Sequence, residues 1–569
     1  MVATKKRESR LKVNNLNANY QRLSFGWILA GIITLLLIAI AGLYWLPHTS
    51  KTITPISQPG ASMFVSRTSP AMISLLVNPQ ELQSLDREFT QAIAKLSAKN
   101  ITNDIQSWLG KEISLVVTTG DLDRNPDNGM QPGYLMILAT EDPTRSREFI
   151  KLLFSQRALL GKKLEVSKYN GTKLVYDLPS ENKLTSSQFS GFEINSSLAG
   201  AVVGKYVLFA NDIKVLKDSI NNVQAPNLNL LSSPKYQKAI QQLPKNALAV
   251  GYFNLPYLAK WQNLQFPVTS ISHTANYDSQ LLSLVLNPDG LLVETGFFNS
   301  SPVPNQASIA RLNNAVTNAV SYLPESVGLV ISGTNLQEES GINKLWQQAT
   351  TTIYGSPTIG TRRLLPYLWK VQEQLGISLA DDIFSWIDGE YALGIFPGLE
   401  DNTHWTFIVE NSPSLIQGIA HLNTVAVKQG FNVSSFPFNE QTIFAWTKLK
   451  FLNKTVDAQI IGLHTTVDNY EIFASDILTM EKILTHQENP LIQNHQFKTA
   501  AGHRSQTNQG YVYIDWQKSQ RFLESQQTLV SLGELFAQPL FKNLRSLTIS
   551  NYGQNPGMLK GGVFFQLKD

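Results

Sequence analysis

Three features predict an α+β protein with one N-terminal transmembrane helix followed by two similar tandem α+β halves with mainly antiparallel sheets. These are an uninterrupted apolar segment near the N-terminus, short strand-like runs joined by hairpin-length connections, and an ordered series of internal matches. The chain has 569 residues, 47 Lys plus Arg against 43 Asp plus Glu, 43% hydrophobic residues and no cysteine. That composition excludes a disulfide scaffold, a Cys-ligated metal or cluster, a thiol nucleophile and a compositionally disordered chain.

The positive charge is local. Residues 1–24 carry Lys5, Lys6, Arg7, Arg10, Lys12 and Arg22 against Glu8, which leaves 41 basic and 42 acidic residues in the remainder. A neutral remainder is no footprint for nucleic acid, so no nucleic-acid partner is expected. Residues 25–46, FGWILAGIITLLLIAIAGLYWL, contain no charge. At 1.5 Å per residue such a helix would be about 33 Å long, enough for a hydrocarbon core of about 30 Å. Trp27, Tyr44 and Trp45 fit an aromatic belt, and the basic arm orients its own side to the cytoplasm. The expected partner of residues 25–46 is therefore the lipid bilayer. Ala39-Ile40-Ala41 also has the form of a signal-peptidase site, so a cleaved signal ending at Ala41 is the competing reading.

Residues 47–59 read as a tether, rich in Ser, Thr and Pro. The two halves then span 60–302 and 303–569. Asn103-Asp104-Ile105-Gln106-Ser107-Trp108-Leu109 before Glu112 recurs as Asp381-Asp382-Ile383-Phe384-Ser385-Trp386-Ile387 before Glu390. LMILATEDP ending at Pro143 answers TFIVENSP ending at Pro413, and KYVLFANDIKVLKDSI from Lys205 answers NYEIFASDILTMEKIL from Asn469. Tyr206, Phe209, Ala210 and Asp212 coincide with Tyr470, Phe473, Ala474 and Asp476. VGYFN ending at Asn254 pairs with YVYID ending at Asp515, and ETGFF with GGVFF. Convergent strand-turn-helix grammar produces one such match, not an ordered series.

In the first half, strands are expected at 71–77, 112–118, 134–140, 164–167, 173–177, 199–203, 206–210, 247–254, 281–286 and 291–298. Asn78-Pro79 and Asp142-Pro143 supply an N-cap and an N1 proline for helices to about Ala98 and Leu160, and Asn211 or Asp212 caps another.

The segments NGTKLVYDL (170–178) and VVGKYVLFANDIKVLKDSI (202–220), behind a basic arm and apolar segment, resemble an uncharacterised bacterial family of membrane-anchored proteins, mainly cyanobacterial, known only as a domain of unknown function. The resemblance implies a bacterial inner or thylakoid membrane, with residues 47–569 in the periplasm or lumen. It carries no catalytic residues over.

Chemistry is sparsely signalled. No two of the eight histidines stand three or four residues apart, so no HExxH-type metal face forms. Ser232-Ser233-Pro234-Lys235 has SxxK spacing, but no later KTG completes that set, and a Ser cap before a short helix explains it. In the loop from Asp121 to Gly129, Asp121, Asp123, Asn125 and Asp127 alternate oxygen side chains as a calcium loop does, yet Pro126 and Pro132 occupy the positions that need Gly and Glu. Asx turns explain the same residues. The adjacent acids Asp381-Asp382 and Glu338-Glu339 read as solvated charges. Trp108 and Trp386 read as plugs between helix and sheet, and Glu112→Gln is expected to leave folding almost intact. The sequence assigns no catalytic, cofactor-binding or metal-ligating residue. A non-catalytic binding or assembly role, with a membrane or envelope protein as partner, is the expectation. A hydrolase whose site is assembled from distant residues, or a carrier of an apolar ligand, are the alternatives.

Overall fold

Val, Ile, Leu and aromatic residues set two apart bury one face of a strand, and the pattern is plain in Gly133–Thr140, where the apolar side chains alternate between buried and half-buried. The structure is a computed structural model that describes residues 55–77, 105, 107–125, 127, 130–178, 197–242, 244, 246–261, 277–299, 317–336, 377–396, 403–452, 455–485, 489–502, 510–524, 543–555 and 558–567. The chain divides into two units, one of residues 1–286 with 296–302 and one of residues 287–295 with 303–569.

The first series runs β1 (Ala71–Leu75), β2 (Leu109–Thr119), β3 (Gly133–Thr140), β4 (Leu164–Tyr169), β5 (Thr172–Asp177), β6 (Ala199–Val203), β7 (Tyr206–Ala210), β8 (Ala247–Asn254), β9 (Ser279–Asn287) and β10 (Gly290–Phe298), the last falling partly in each unit. Hydrogen bonding gives the order β4-β5-β6-β7-β3-β2-β1-β8-β9-β10. The second series runs β11 (Leu329–Thr334), β12 (Glu390–Phe396), β13 (His404–Glu410), β14 (Asn432–Phe438), β15 (Gln441–Leu452), β16 (Thr455–Val467), β17 (Tyr470–Ala474), β18 (Gly510–Asp515), β19 (Leu544–Asn555) and β20 (Met558–Leu567). Its order is β14-β15-β16-β17-β13-β12-β11-β18-β19-β20, the same path strand for strand. Strands pair antiparallel in both series, for example Ile73 opposite Leu115 and Ile331 opposite Leu393.

Two parts of the expected fold class are corrected. The described residues are mostly antiparallel sheet rather than an even mix of helix and strand, and each series joins strands that are far apart in the chain, such as β3 beside β7 and β1 beside β8. Edge strands leave N–H and C=O groups unpaired, and nothing in a strand's own sequence says which other edge satisfies them. Second, no helix among the described residues is long and apolar enough to cross a membrane. The segment 25–46 assigned to that role lies outside the described residues, as do the expected helix 78–98 and Glu338-Glu339. The longest described helix, Pro143–Leu159, carries Arg145, Arg147, Glu148, Lys151 and Arg157 and has one buried stripe.

Helix starts follow the cap residues. Asp142 accepts from the Thr144 and Arg145 amides at 2.9 and 3.1 Å ahead of Pro143. Ser412 does the same for the Leu415 amide at 3.2 Å ahead of the helix Pro413–Lys428. In the first unit Phe149, Ile150 and Phe154 of the helix Pro143–Leu159 pack with Trp108, Leu138, Val207 and Phe209. In the second unit a larger cluster joins Val330, Ala392, Ile408, Leu463, Ile472, Met480, Phe497 and Tyr511.

Candidate functional site

A single polar arrangement occurs in both units. In the first, Gly60–Phe64 forms a 3-10 turn whose leading amides need acceptors. Glu112 on β2 supplies them: Oε2 accepts from Gly60 N at 3.0 Å and Oε1 from Ala61 N at 2.9 Å. The Ser114 hydroxyl donates to Oε1 at 3.1 Å, and the Tyr206 hydroxyl, at the start of β7, donates to Oε2 at 3.4 Å. Glu112 is 1% exposed. Burial raises its pKa despite the four donors, and Tyr206 is pushed up to about 12 by burial first and then by the neighbouring Glu112 charge. Gly60 is required here, because a Cβ would lie on the Tyr206 hydroxyl. The Tyr206 ring stands edge-on to Phe64 at 5.2 Å.

In the second unit, the 3-10 turn Asn318–Tyr322 is held by Glu390, the first residue of β12. Its Oε2 accepts from Asn318 N at 2.8 Å and from the Tyr470 hydroxyl at 3.1 Å. Tyr322 lies 5.2 Å from Tyr470, as Phe64 does from Tyr206, and donates its hydroxyl to Asp468 at 2.9 Å. Glu410 Oε2 accepts from Glu390 N at 3.0 Å. This version is more open, with Glu390 and Glu410 half-buried and Asp468 exposed. Burial, then the Glu390 charge, raises the Tyr470 pKa.

Trp108 and Trp386 are both buried, as the sequence predicts. Trp108 lies 5.4 Å from Phe149, and Trp386 packs beside Gly418 and donates its indole N–H to the Asp382 carbonyl at 2.6 Å. Glu112 is expected to be dispensable for folding, but its bonds to the half-buried Gly60 amide and the buried Ala61 amide argue for a structural role. In the Asp121 loop, Asp123 Oδ1 accepts from Asn125 N and Asn125 Oδ1 from Asp127 N, at 3.0 and 3.1 Å, which are Asx turns. Among the described residues no group of three or more His, Asp or Glu could hold a metal ion. Lys235 donates to Asp278 at 3.1 Å, and the Ser232 hydroxyl lies 2.9 Å from Asn229 Oδ1. Ser233 precedes the helix Pro234–Ile240 but makes no side-chain cap.

Sequence reading missed several side-chain pairs because strand and helix packing, not local spacing, brings their members together. Arg157 and Asp177 form a buried, bidentate pair between the helix Pro143–Leu159 and β5. His464 Nδ1 meets Glu471 at 2.5 Å, both buried, with Phe444, Trp446 and Phe473 stacked about the imidazole. His404 pairs with Asp476 at 2.7 Å and His421 with Asp382 at 2.8 Å. Hydrogen bonds from the Ser475 hydroxyl, then from the Thr479 hydroxyl and amide and from His404, outweigh burial and hold Asp476 well below the usual carboxylate range, at about 2. Of Asp381-Asp382, only Asp382 reaches a histidine.

A family model described as "Protein of unknown function (DUF3352)" matches residues 28–567. The chain belongs to that family. No curated protein matches it. Two solved structures, described as "Structure of crystal form I of TP0453" and "Structure of crystal form III of TP0453", are similar at 9% identity and a TM-score of 0.23. They cover 44% and 43% of this chain and 81% and 82% of their own. For this DUF3352 member the doubled Glu-Tyr arrangement is thus read from its own geometry.

Proposed function

We propose that this DUF3352 protein is a non-catalytic binding or assembly protein that works outside the cytoplasm, with an envelope protein as partner. The observation that carries the reading is Glu112: the acid shared by both units is sealed at 1% exposure and bonded by two backbone amides, which makes it framework rather than reagent. The basic arm ahead of residues 25–46 has the form of an export signal and supports the location. A carrier role is favoured less. The groove of about 380 Å³ beside Asn423, Thr424, Val427, Lys428 and Val433 is open to solvent and encloses nothing.

Two measurements test the proposal. Protease added to intact spheroplasts should remove a C-terminal tag on the full chain, and a protected tag overturns the location. Cross-linking of the full chain in its native envelope, followed by mass spectrometry, should return one protein at a reproducible cross-link site. Hydrolysis of ester, glycoside or peptide substrates that disappears in Glu390→Gln or His404→Ala would establish an enzyme instead.

A further inference from the structure

β4 is the end strand of the first series: it pairs with β5 and with no other described strand. The Lys163 carbonyl turns inward to accept from Leu178 N at 2.8 Å, so alternation along the strand turns the N–H and C=O groups of Leu164, Val166 and Lys168 outward. The register from Leu164 to Tyr169 runs without a bulge, and no proline interrupts it. The second unit blunts the same edge. Counted from the turns at Asn170-Gly171 and Asn439-Glu440, Pro437 of β14 stands where β4 has Lys168, and a proline cannot donate to an added strand.

The side chains along this edge carry a charge that the hairpin itself does not answer. Lys168 lies directly opposite Lys173, both exposed, and like charges in that position cost stability. Val166, 57% exposed, and its partner Val175 continue the same face. Residues 162–178 hold Lys162, Lys163, Lys168 and Lys173 against Glu165 and Asp177, and Asp177 is already paired with Arg157.

We propose that the open edge of β4 receives a strand from an acidic, extended segment of a partner protein, with a β-branched residue beside Val166 and a carboxylate beside Lys168. In strand addition the main-chain hydrogen bonds supply attachment and alternate side chains supply choice. Lysine on an edge deters a strand that cannot answer its charge, and the strain of Lys168 against Lys173 is relieved by one that brings an acid. A second copy of β4, aligned antiparallel with Val166 beside Val166, would set Leu164 beside Lys168 and bring no acid there. The proposal rests on the binding role given above and names its surface and the chemistry of the partner.

The probe is a fluorescent, end-blocked peptide ETVTI, which in antiparallel register sets its acid beside Lys168 and its valine beside Val166. Added to the full chain, it should bind by fluorescence anisotropy and slow backbone hydrogen exchange over residues 164–168. The peptide KTVTI should bind about tenfold more weakly, and Lys168→Gln should weaken ETVTI about threefold. Val166→Pro, which removes an outward N–H only, should abolish binding and keep the wild-type melting temperature. No binding of ETVTI, equal binding of the two peptides, unchanged binding to Val166→Pro or protection away from residues 164–168 overturns the proposal. So does protection that grows with protein concentration without peptide, which marks a second copy. In the native envelope, Val166→Pro should lose the cross-linked protein. A cross-link that persists overturns this edge and leaves the binding role standing, whereas a wild-type chain that cross-links to nothing overturns the binding role itself.

Discussion

The hydroxyl of Tyr470 donates to Glu390 Oε2 at 3.1 Å, in the place where the hydroxyl of Tyr206 donates to Glu112 Oε2 at 3.4 Å. Glu112 on β2 and Glu390 on β12 each hold a 3-10 turn against the strand, but the two use their oxygens differently. Both oxygens of Glu112 take a backbone amide, whereas one oxygen of Glu390 accepts both of its bonds.

That difference predicts unequal responses to the same substitution. Glutamine at position 112 turns an NH2 toward a backbone N–H and strands a buried donor, so Glu112→Gln should destabilise the first unit by about 1–3 kcal/mol. Glu390→Gln keeps a carbonyl for both donors and should cost clearly less. Urea unfolding followed through each unit separately checks the pair.

Arg157 and Asp177 lie under one helix with side-chain exposures of 6% and 2%. Asp177 also accepts from Leu198 N at 3.1 Å. Removing Arg157 alone leaves a buried carboxylate without its cation, and Arg157→Ala should cost about 3–5 kcal/mol. Arg157→Met combined with Asp177→Leu should recover most of that loss in a double-mutant cycle. Additive losses would show that the two residues act independently.

Gly418 faces the Trp386 indole so closely that a Cβ would sit 2.4 Å from Cδ2. Gly418→Ala should therefore destabilise the second unit by about 1–3 kcal/mol through overpacking. Trp108→Ala and Trp386→Ala should each cost about 3–5 kcal/mol in their own unit. Gly418→Ala added to Trp386→Ala should cost little more, because the indole that it strikes is gone; thermal melts of the three variants decide this.

Asp476 is held at about 2, against a carboxylate's ordinary value of 3.8. A lowered folded value stabilises above the ordinary one and fades as pH falls through the folded one. The stability that Asp476 supplies should therefore be complete above about pH 4 and vanish toward pH 2. Asp476→Asn should lose stability near neutral pH and show a shallower decline over that acid window. Equal slopes in wild type and variant would remove Asp476 from the acid response.

Local signals were enough for much of this architecture. Ala199–Val203, Tyr206–Ala210 and Ala247–Asn254 are strands over the very residues that their short apolar runs mark, and Asp142-Pro143 opens a helix because cap and proline are adjacent in the chain. Such features depend on neighbours within a few residues, so a sequence displays them. Trp108 and Trp386 also read correctly as core, since a large apolar ring gains most from burial wherever it lies.

Tertiary structure decided the rest, because the deciding partners are distant. Glu112 is a keystone only through Gly60, Ala61 and Tyr206, which lie 51 to 94 residues away. Arg157 and Asp177 look like ordinary solvated charges until the helix and β5 bring them together where water is excluded. The same holds for the sheet as a whole. Apolar patterning says that a segment is a strand, but hydrogen bonds along its edge are identical for every possible neighbour, so only the folded chain selects the order in which the strands of each unit join.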